Sequence, residues 1–102
     1  MKRPERMSLP GILEILRGTL PDLRERYGVL FLGVFGSFVT GEAGPRSDID
    51  ILIEFERAPT FFQFVELEDE LSRLLHADVD LVMRSALKPR IGERILSEVV
   101  SV

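Results

Sequence analysis

The apolar positions at the start of the chain predict helix, with one break. Ser8 and Pro10 are residue types that favour the first turn of a helix. Apolar residues then recur at helical spacing, at Leu9, Leu13 and Leu16. Pro21 lies where a new helix would begin, and Gly28 lies where that helix would end. We therefore predict two short helices that form a bent pair.

Three strands are predicted farther along the chain. The run Val29–Phe35 is almost wholly apolar and is bounded by glycines, which is typical of a strand buried on both faces. In Ile49–Phe55 every second residue is apolar, so one face of this strand is expected to lie in the core. Apolar residues also alternate in Val79–Met83, which predicts the third strand.

Two more helices are predicted in the second half. Thr60 and Gln63 have the spacing of a capping box, and an amphipathic pattern follows to about His76, the expected C-terminal capping residue. Three aromatic residues near its start are expected to pack in the core or against another helix, namely Phe61, Phe62 and Phe64. Pro89 opens the last helix. This order of elements predicts an α/β (α+β) fold, a small mixed β-sheet with helices packed against it.

The composition is that of one ordinary domain, which we expect to span residues 1–102. Hydrophobic residues make up 45% of the chain and charged residues 29%, which argues against disorder. No apolar run is long enough to cross a membrane and no signal-like segment is present, so we expect a cytoplasmic protein without a membrane partner. The net charge of −4 makes direct binding to nucleic acid unfavourable. With no cysteine and one histidine, a metal ion would be held by oxygen atoms.

Two acidic residues in the second strand are candidate metal ligands. Asp48 and Asp50 are two residues apart, so both are expected to project to one side of the strand, with Cα atoms about 6.7 Å apart. Paired carboxylates on a buried strand suit a rigid Mg²⁺ site. The alternative is an outer strand face that carries acids exposed to water, and Glu54 and Glu56 show how readily that occurs.

A glycine and a serine follow the first strand and are candidate phosphate ligands. Gly36 and Ser37 precede a short segment, Phe38–Gly41, that is suited to one helical turn. Such a corner presents backbone N–H groups and a hydroxyl to an anion, and glycine lets the anion approach closely. The alternative is a tight turn with a serine cap. The segment lacks the lysine of a Walker A loop, which argues against a P-loop ATPase, and it lacks the glycine spacing of a dinucleotide-binding fold.

Taken together, Gly36-Ser37, a ten-residue spacer and Asp48-Ile49-Asp50 resemble the signature of the DNA polymerase β-like nucleotidyltransferase superfamily. The flanking residues are similar to the minimal nucleotidyltransferase (MNT) family, whose third-carboxylate strand and closing helix resemble Val79–Val82 and Leu87–Ile91, so the similarity covers roughly the whole chain. The resemblance implies the polymerase β-like fold. It also implies a third carboxylate from a neighbouring strand, for which Asp80 matches. Asp78 lies on the same face, and spacing does not separate the two.

The resemblance further implies a reaction. Two Mg²⁺ ions would be held by Asp48, Asp50 and Asp80, and these three residues would be catalytic. ATP would be the nucleotide donor, with Gly36 and Ser37 steadying its β- and γ-phosphates. AMP would pass to a tyrosine of a HEPN-domain ribonuclease toxin, pyrophosphate would leave, and the chain would act as the antitoxin.

Two other functions remain open at this point. One is an antitoxin that neutralises the HEPN toxin by binding alone, and the other is a small-molecule nucleotidyltransferase. The sequence contains no segment suited to hold the acceptor, so a separate protein or a second copy of the chain is expected to complete the acceptor site.

Overall fold

A four-stranded mixed sheet organises residues 8–102, the part of the chain that this computed structural model describes. In chain order the elements are α1 Leu9–Tyr27, β1 Val29–Phe35, α2 Ser37–Thr40, β2 Ile49–Phe55, α3 Phe61–Leu75, β3 Val79–Met83, a 3₁₀ turn Arg84–Ala86, α4 Pro89–Glu98 and β4 Val100–Ser101. The strand order is β3-β2-β1-β4. β1 runs antiparallel to both β2 and β4, whereas β2 and β3 are parallel. The predicted small mixed sheet with helices packed against it is confirmed.

The core joins α1 and α3 to the sheet. α1 and α3 contribute buried leucine and isoleucine side chains, among them Leu16 and Leu71. From β2 come Ile49, Ile51 and Ile53, the alternate residues that the sequence pattern assigned to the core. Because these three side chains are fixed in the core, β2 is held rigidly and its intervening residues lie at defined positions.

The start of the chain forms one helix, and the predicted bent pair is wrong. α1 continues from Leu9 to Tyr27 with Pro21 inside it. Proline removes one helical hydrogen bond, but Pro21 lies on the exposed side of α1, where water can satisfy the freed carbonyl group. Leu16 and Leu23, on either side of Pro21, are fully buried against the core. The free energy gained by burying this continuous apolar stripe therefore exceeds the cost of the hydrogen bond that Pro21 removes.

α3 begins at the predicted capping box. The Thr60 hydroxyl accepts the Gln63 N–H at 3.1 Å, and the Gln63 side chain accepts the Thr60 N–H at 3.0 Å. His76 is the C-terminal capping residue, as predicted. The predicted packing is wrong for Phe61 and Phe62, which are 76% and 82% exposed. Phe64 does pack against the core.

β3 lies at the edge of the sheet, and side chains from α3 accept two of its backbone N–H groups. The Ser72 hydroxyl accepts the Val79 N–H at 3.1 Å, and a Glu68 carboxylate oxygen accepts the Leu81 N–H at 3.0 Å. Occupied donors protect a sheet edge from pairing with another strand. None of the helices in residues 8–102 has the length and apolar character needed to cross a membrane.

Candidate active site

The sheet register places two of the predicted carboxylates side by side. Asp50 of β2 and Asp80 of β3 are register partners in the parallel pair. Neighbouring strands lie about 4.8 Å apart, and paired residues point to the same face of a sheet. Asp80 is exposed, whereas Asp50 is half-buried. The side chains of the buried residues Ile49 and Ile51 hold this stretch of β2 in place.

Asp48 lies one residue before β2, in the loop that follows α2, and is exposed. Two features order this loop. The Ser37 carbonyl accepts the N–H groups of Glu42 and Ala43 at 3.0 and 3.1 Å, and the Ser47 hydroxyl accepts the Gly44 N–H at 2.9 Å. Asp48 therefore approaches the site from a loop that is held by short-range hydrogen bonds.

Gly36 forms the corner between β1 and α2, with φ 77° and ψ −151°. This backbone conformation is essentially restricted to glycine. A Cβ atom at this position would also collide with the Asp50 carboxylate. The Gly36 carbonyl accepts the N–H groups of Val39 and Thr40, so the single turn of α2 starts here, with Ser37 as its first residue. The corner and the Asp50 carboxylate are therefore in direct proximity, as the motif predicts.

Glu98 is a member of the site that sequence reasoning missed. It is the last residue of α4, and its Oε1 atom accepts the Gly36 N–H at 3.0 Å. No local pattern marks Glu98, because its partner is 62 residues away in the sequence. Pairing of β4 with β1 holds the end of α4 near this corner. The Gly36 N–H, which we expected to face phosphate, is thus bound to a carboxylate of the chain itself.

The surroundings of Asp50 favour its protonated form. Burial, together with the negative charges of Asp80, Asp48 and Glu98, raises the pKa of Asp50 to about 6. The three negative charges that help to raise this pKa also attract a cation to the same place. The site therefore has the electrostatic character of a cation-binding site.

The carboxylates do not form a ready-made metal site. Within residues 8–102 no set of three or more acidic or histidine side chains converges closely enough to hold a metal ion. Asp48 and Asp80 are both exposed, and the mutual repulsion of their charges opposes a close approach of the carboxylates. The donors nevertheless fit Mg²⁺ in kind, because they are carboxylate oxygens on adjacent backbone segments.

The structure distinguishes Asp80 from its rival Asp78. Asp80 is level with Asp50 and its charge acts on Asp50. Asp78 precedes β3, and its backbone carbonyl accepts the Ile49 N–H at 2.9 Å. The Asp78 side chain instead lines a surface groove beside α3. This geometry favours Asp80 as the third carboxylate.

Comparisons with known proteins identify the family of this chain. The sequence profile of the nucleotidyltransferase domain matches residues 16–102. The chain is 50% identical over 96 residues to protein adenylyltransferase MntA of Thermococcus cleftensis, an alignment that covers 94% of this chain and 97% of that protein.

Two solved structures have a similar fold. One, assigned as a minimal nucleotidyltransferase, has a TM-score of 0.77 at 35% identity and covers 94% of this chain and 97% of that one. The other is an MNT antitoxin of Shewanella oneidensis in complex with a tri-AMPylated HEPN toxin, with a TM-score of 0.58 at 22% identity, covering 88% of this chain and 64% of that one. The second likeness is one of fold alone.

Proposed function

This chain belongs to the nucleotidyltransferase domain family, and we propose that it transfers AMP from ATP to a tyrosine of a cognate HEPN toxin, as the antitoxin of that pair. Two similar proteins support AMP transfer to a protein acceptor. MntA of Thermococcus cleftensis, at 50% identity, is named a protein adenylyltransferase. The more distant MNT antitoxin of Shewanella oneidensis is bound to a HEPN toxin that carries AMP groups.

One structural observation carries the proposal. Asp50, Asp80 and the Gly36 corner lie together, although they come from β2, β3 and the β1–α2 junction. Chemistry at a triphosphate needs cation-binding carboxylates next to a place for the phosphates, and this arrangement supplies both. A solvated strand face with unrelated acids would not require a glycine against the Asp50 carboxylate.

Asp48, Asp50 and Asp80 would hold Mg²⁺, and two ions are expected. Bound Mg²⁺ would neutralise charge that develops on the α-phosphate and on the leaving pyrophosphate. Asp50 would be the central ligand, because it is the least exposed of the three and the charges of the other two both act on it.

The acceptor hydroxyl oxygen forms a bond to the α-phosphorus, and the bond from that phosphorus to the oxygen bridging to the β-phosphate breaks. Pyrophosphate leaves, and the acceptor keeps AMP. Asp80 would take the hydroxyl proton in this proposal, and its exposure lets an acceptor reach it from solvent.

Gly36 and Ser37 bind the β- and γ-phosphates in this proposal, with one change from the expectation. Because Glu98 already accepts the Gly36 N–H, the donors left to the phosphates are the Ser37 hydroxyl and the following turn. Gly36 contributes by having no Cβ between the phosphates and Asp50.

The test is AMP transfer to the purified HEPN toxin in the presence of Mg²⁺ and ATP, followed by intact-protein mass spectrometry. We expect a mass gain of one or more AMP units and label from the α-phosphate but not from the γ-phosphate. Asp50→Asn should give no mass gain. A stable complex without mass gain would make the chain a binding antitoxin instead, and label from the γ-phosphate would make it a kinase.

A further inference from the structure

A groove of about 630 Å³ lies between α3 and the edge strand β3. Three apolar side chains of α3 line one part of it, namely Phe61, Phe62 and Val65. We propose that this α3 groove holds the acceptor protein through a segment that presents an apolar side chain flanked by lysine or arginine. The inference rests on the proposed function, because it assigns a surface to the acceptor of that reaction.

The two exposed phenylalanines are not needed to build α3. The capping box of Thr60 and Gln63 starts the helix, and fully buried leucines such as Leu67 and Leu71 attach it to the core. Phe61 and Phe62 instead pack against each other edge to face, with ring centroids 6.1 Å apart, and face solvent. Aromatic side chains that are rigid, exposed and adjacent are typical anchors of protein interfaces.

The charge of the groove selects the occupant. Four carboxylates line it and no lysine or arginine does, the four being Glu66, Glu68, Asp69 and Asp78. Asp69 is paired with Arg73 in an exposed ion pair that contributes little. A groove of this sign attracts basic partners and repels anions, so it is unsuited to the triphosphate of a nucleotide. It also disfavours a second copy of this chain, whose net charge is −4.

One residue that lines the groove is close in the chain to a carboxylate of the active site. Asp78 lines the groove and lies two residues before Asp80. Its carbonyl accepts the N–H of Ile49, the residue between Asp48 and Asp50. A segment bound in the groove is therefore held next to the exposed carboxylate that we place nearest the acceptor hydroxyl.

The edge of β3 restricts how the occupant binds. The N–H groups of Val79 and Leu81 that face away from the sheet are already bonded to Ser72 and Glu68. An occupant therefore gains no strand-like ladder along this stretch. It binds through side chains, as a helix or an ordered loop whose apolar residue contacts Phe61 and Phe62.

The experiment compares the double variant Phe61→Ser/Phe62→Ser with the wild type, using the HEPN toxin as the probe. AMP transfer is measured against toxin concentration, toxin binding by calorimetry, and binding of ATP with Mg²⁺ separately. We expect KM and Kd for the toxin to rise by about tenfold or more, as for the loss of an aromatic anchor.

The Kd for ATP should change by less than about twofold, because the groove does not contact nucleotide. Both rings are exposed, so the fold should be retained, as checked by thermal unfolding.

Ile91→Ser is the matched control, because Ile91 is an exposed apolar residue of α4 at 58% exposure. It should leave KM for the toxin at the wild-type value. Glu66→Lys should raise KM for the toxin, and this effect should shrink as salt concentration rises.

The outcomes separate this inference from the proposed function. If the wild type labels the toxin and the double variant does so with unchanged KM, the groove is not the docking surface. If the wild type binds the toxin without labelling it, the transfer reaction is wrong, and the Kd of the double variant still decides the groove. If the double variant converts a dimer to a monomer in light scattering and keeps its affinity for the toxin, the groove joins two copies of the chain and the inference fails.

Discussion

Asp50 and Asp80 are register partners on adjacent parallel strands, and the charge of Asp80 helps to raise the pKa of Asp50 to about 6. The two residues are thus coupled by the sheet itself rather than by flexible loops. A parallel register of this kind fixes which residue of β3 lies level with Asp50, and that residue is Asp80. It gives Asp80 and Asp78 different expected roles, although they are only two residues apart.

The first prediction concerns those roles. Asp80→Asn should lower kcat for AMP transfer by at least about a hundredfold, because it removes a metal ligand and the proton acceptor. Glu54→Gln is the matched control, since Glu54 is an acid of β2 that pairs with Arg84 away from the site, and it should keep the wild-type kcat. Asp78→Asn should raise KM for the toxin and spare kcat. A larger loss of kcat in Asp78→Asn than in Asp80→Asn would exchange the two assignments.

The second prediction concerns pH and stability without metal. Because the pKa of Asp50 is about 6 in the folded chain and near 4 in the unfolded chain, only folded protein holds this proton between those values. The contribution of Asp50 to the free energy of unfolding is therefore full below about pH 4 and is lost as pH rises through about 6. Asp50→Asn has no such loss. In EDTA at pH 8 it should be more stable than the wild type by about 1–2 kcal/mol, allowing for partial exposure.

Urea unfolding at pH 4 and pH 8 checks this, and the difference between the two proteins should nearly vanish at pH 4. Added Mg²⁺ should then stabilise the wild type and leave Asp50→Asn unchanged. A variant that is less stable than the wild type at pH 8 in EDTA would contradict the electrostatic account of Asp50.

Features with local causes were predictable from the sequence. The capping box of Thr60 and Gln63 and the alternation in Ile49–Phe55 are determined by residues a few positions apart, and both are confirmed. The spacing from Gly36 to Asp50 was enough to suggest the family, and the family match confirms that resemblance.

Features that depend on tertiary contacts were not predictable. Pro21 was expected to break α1, but burial of Leu16 and Leu23 on either side keeps the helix continuous. The two-residue strand β4 is too short to have a pattern of its own and exists through its pairing with β1. The same pairing of β4 with β1 holds the end of α4, and with it Glu98, at the site. The exposure of Phe61 and Phe62 depends on which side of α3 faces the sheet. Apolar residues occur on more than one side of its first turns, so the sequence pattern does not determine that orientation.

The third prediction concerns the corner at Gly36. Gly36→Ala should destabilise the chain by about 2–4 kcal/mol, because alanine disfavours this backbone conformation and its Cβ would collide with the Asp50 carboxylate. Gly18→Ala is the control. Nothing lies within 4 Å of a Cβ at Gly18, and alanine favours helix, so this variant should gain about 0.5–1 kcal/mol. Denaturant unfolding measures both, and equal stability of the two variants would remove the steric argument for Gly36.

The fourth prediction concerns Glu98 as a positioning residue. Glu98 accepts the Gly36 N–H at 3.0 Å and so fixes the peptide group between Phe35 and Gly36, at the corner that leads into Ser37. Glu98→Ala loses this hydrogen bond, and kcat should fall about tenfold, in proportion to the loss of one charge-assisted bond. Glu98→Gln keeps an oxygen that can accept the same N–H, so its kcat should return to near the wild-type value.

Charge and hydrogen bonding can be separated at this position. Both Glu98 variants remove a negative charge beside Asp50, so both should lower the pKa of Asp50 in the metal-free protein, as followed by NMR titration. Only Glu98→Ala should lose activity. If Glu98→Gln loses as much activity as Glu98→Ala, the charge matters rather than the hydrogen bond, and Glu98 acts on the bound cation or nucleotide instead of on Gly36. If neither variant changes kcat, the contact serves only to attach α4 to the sheet, and thermal unfolding should then show the whole of its effect.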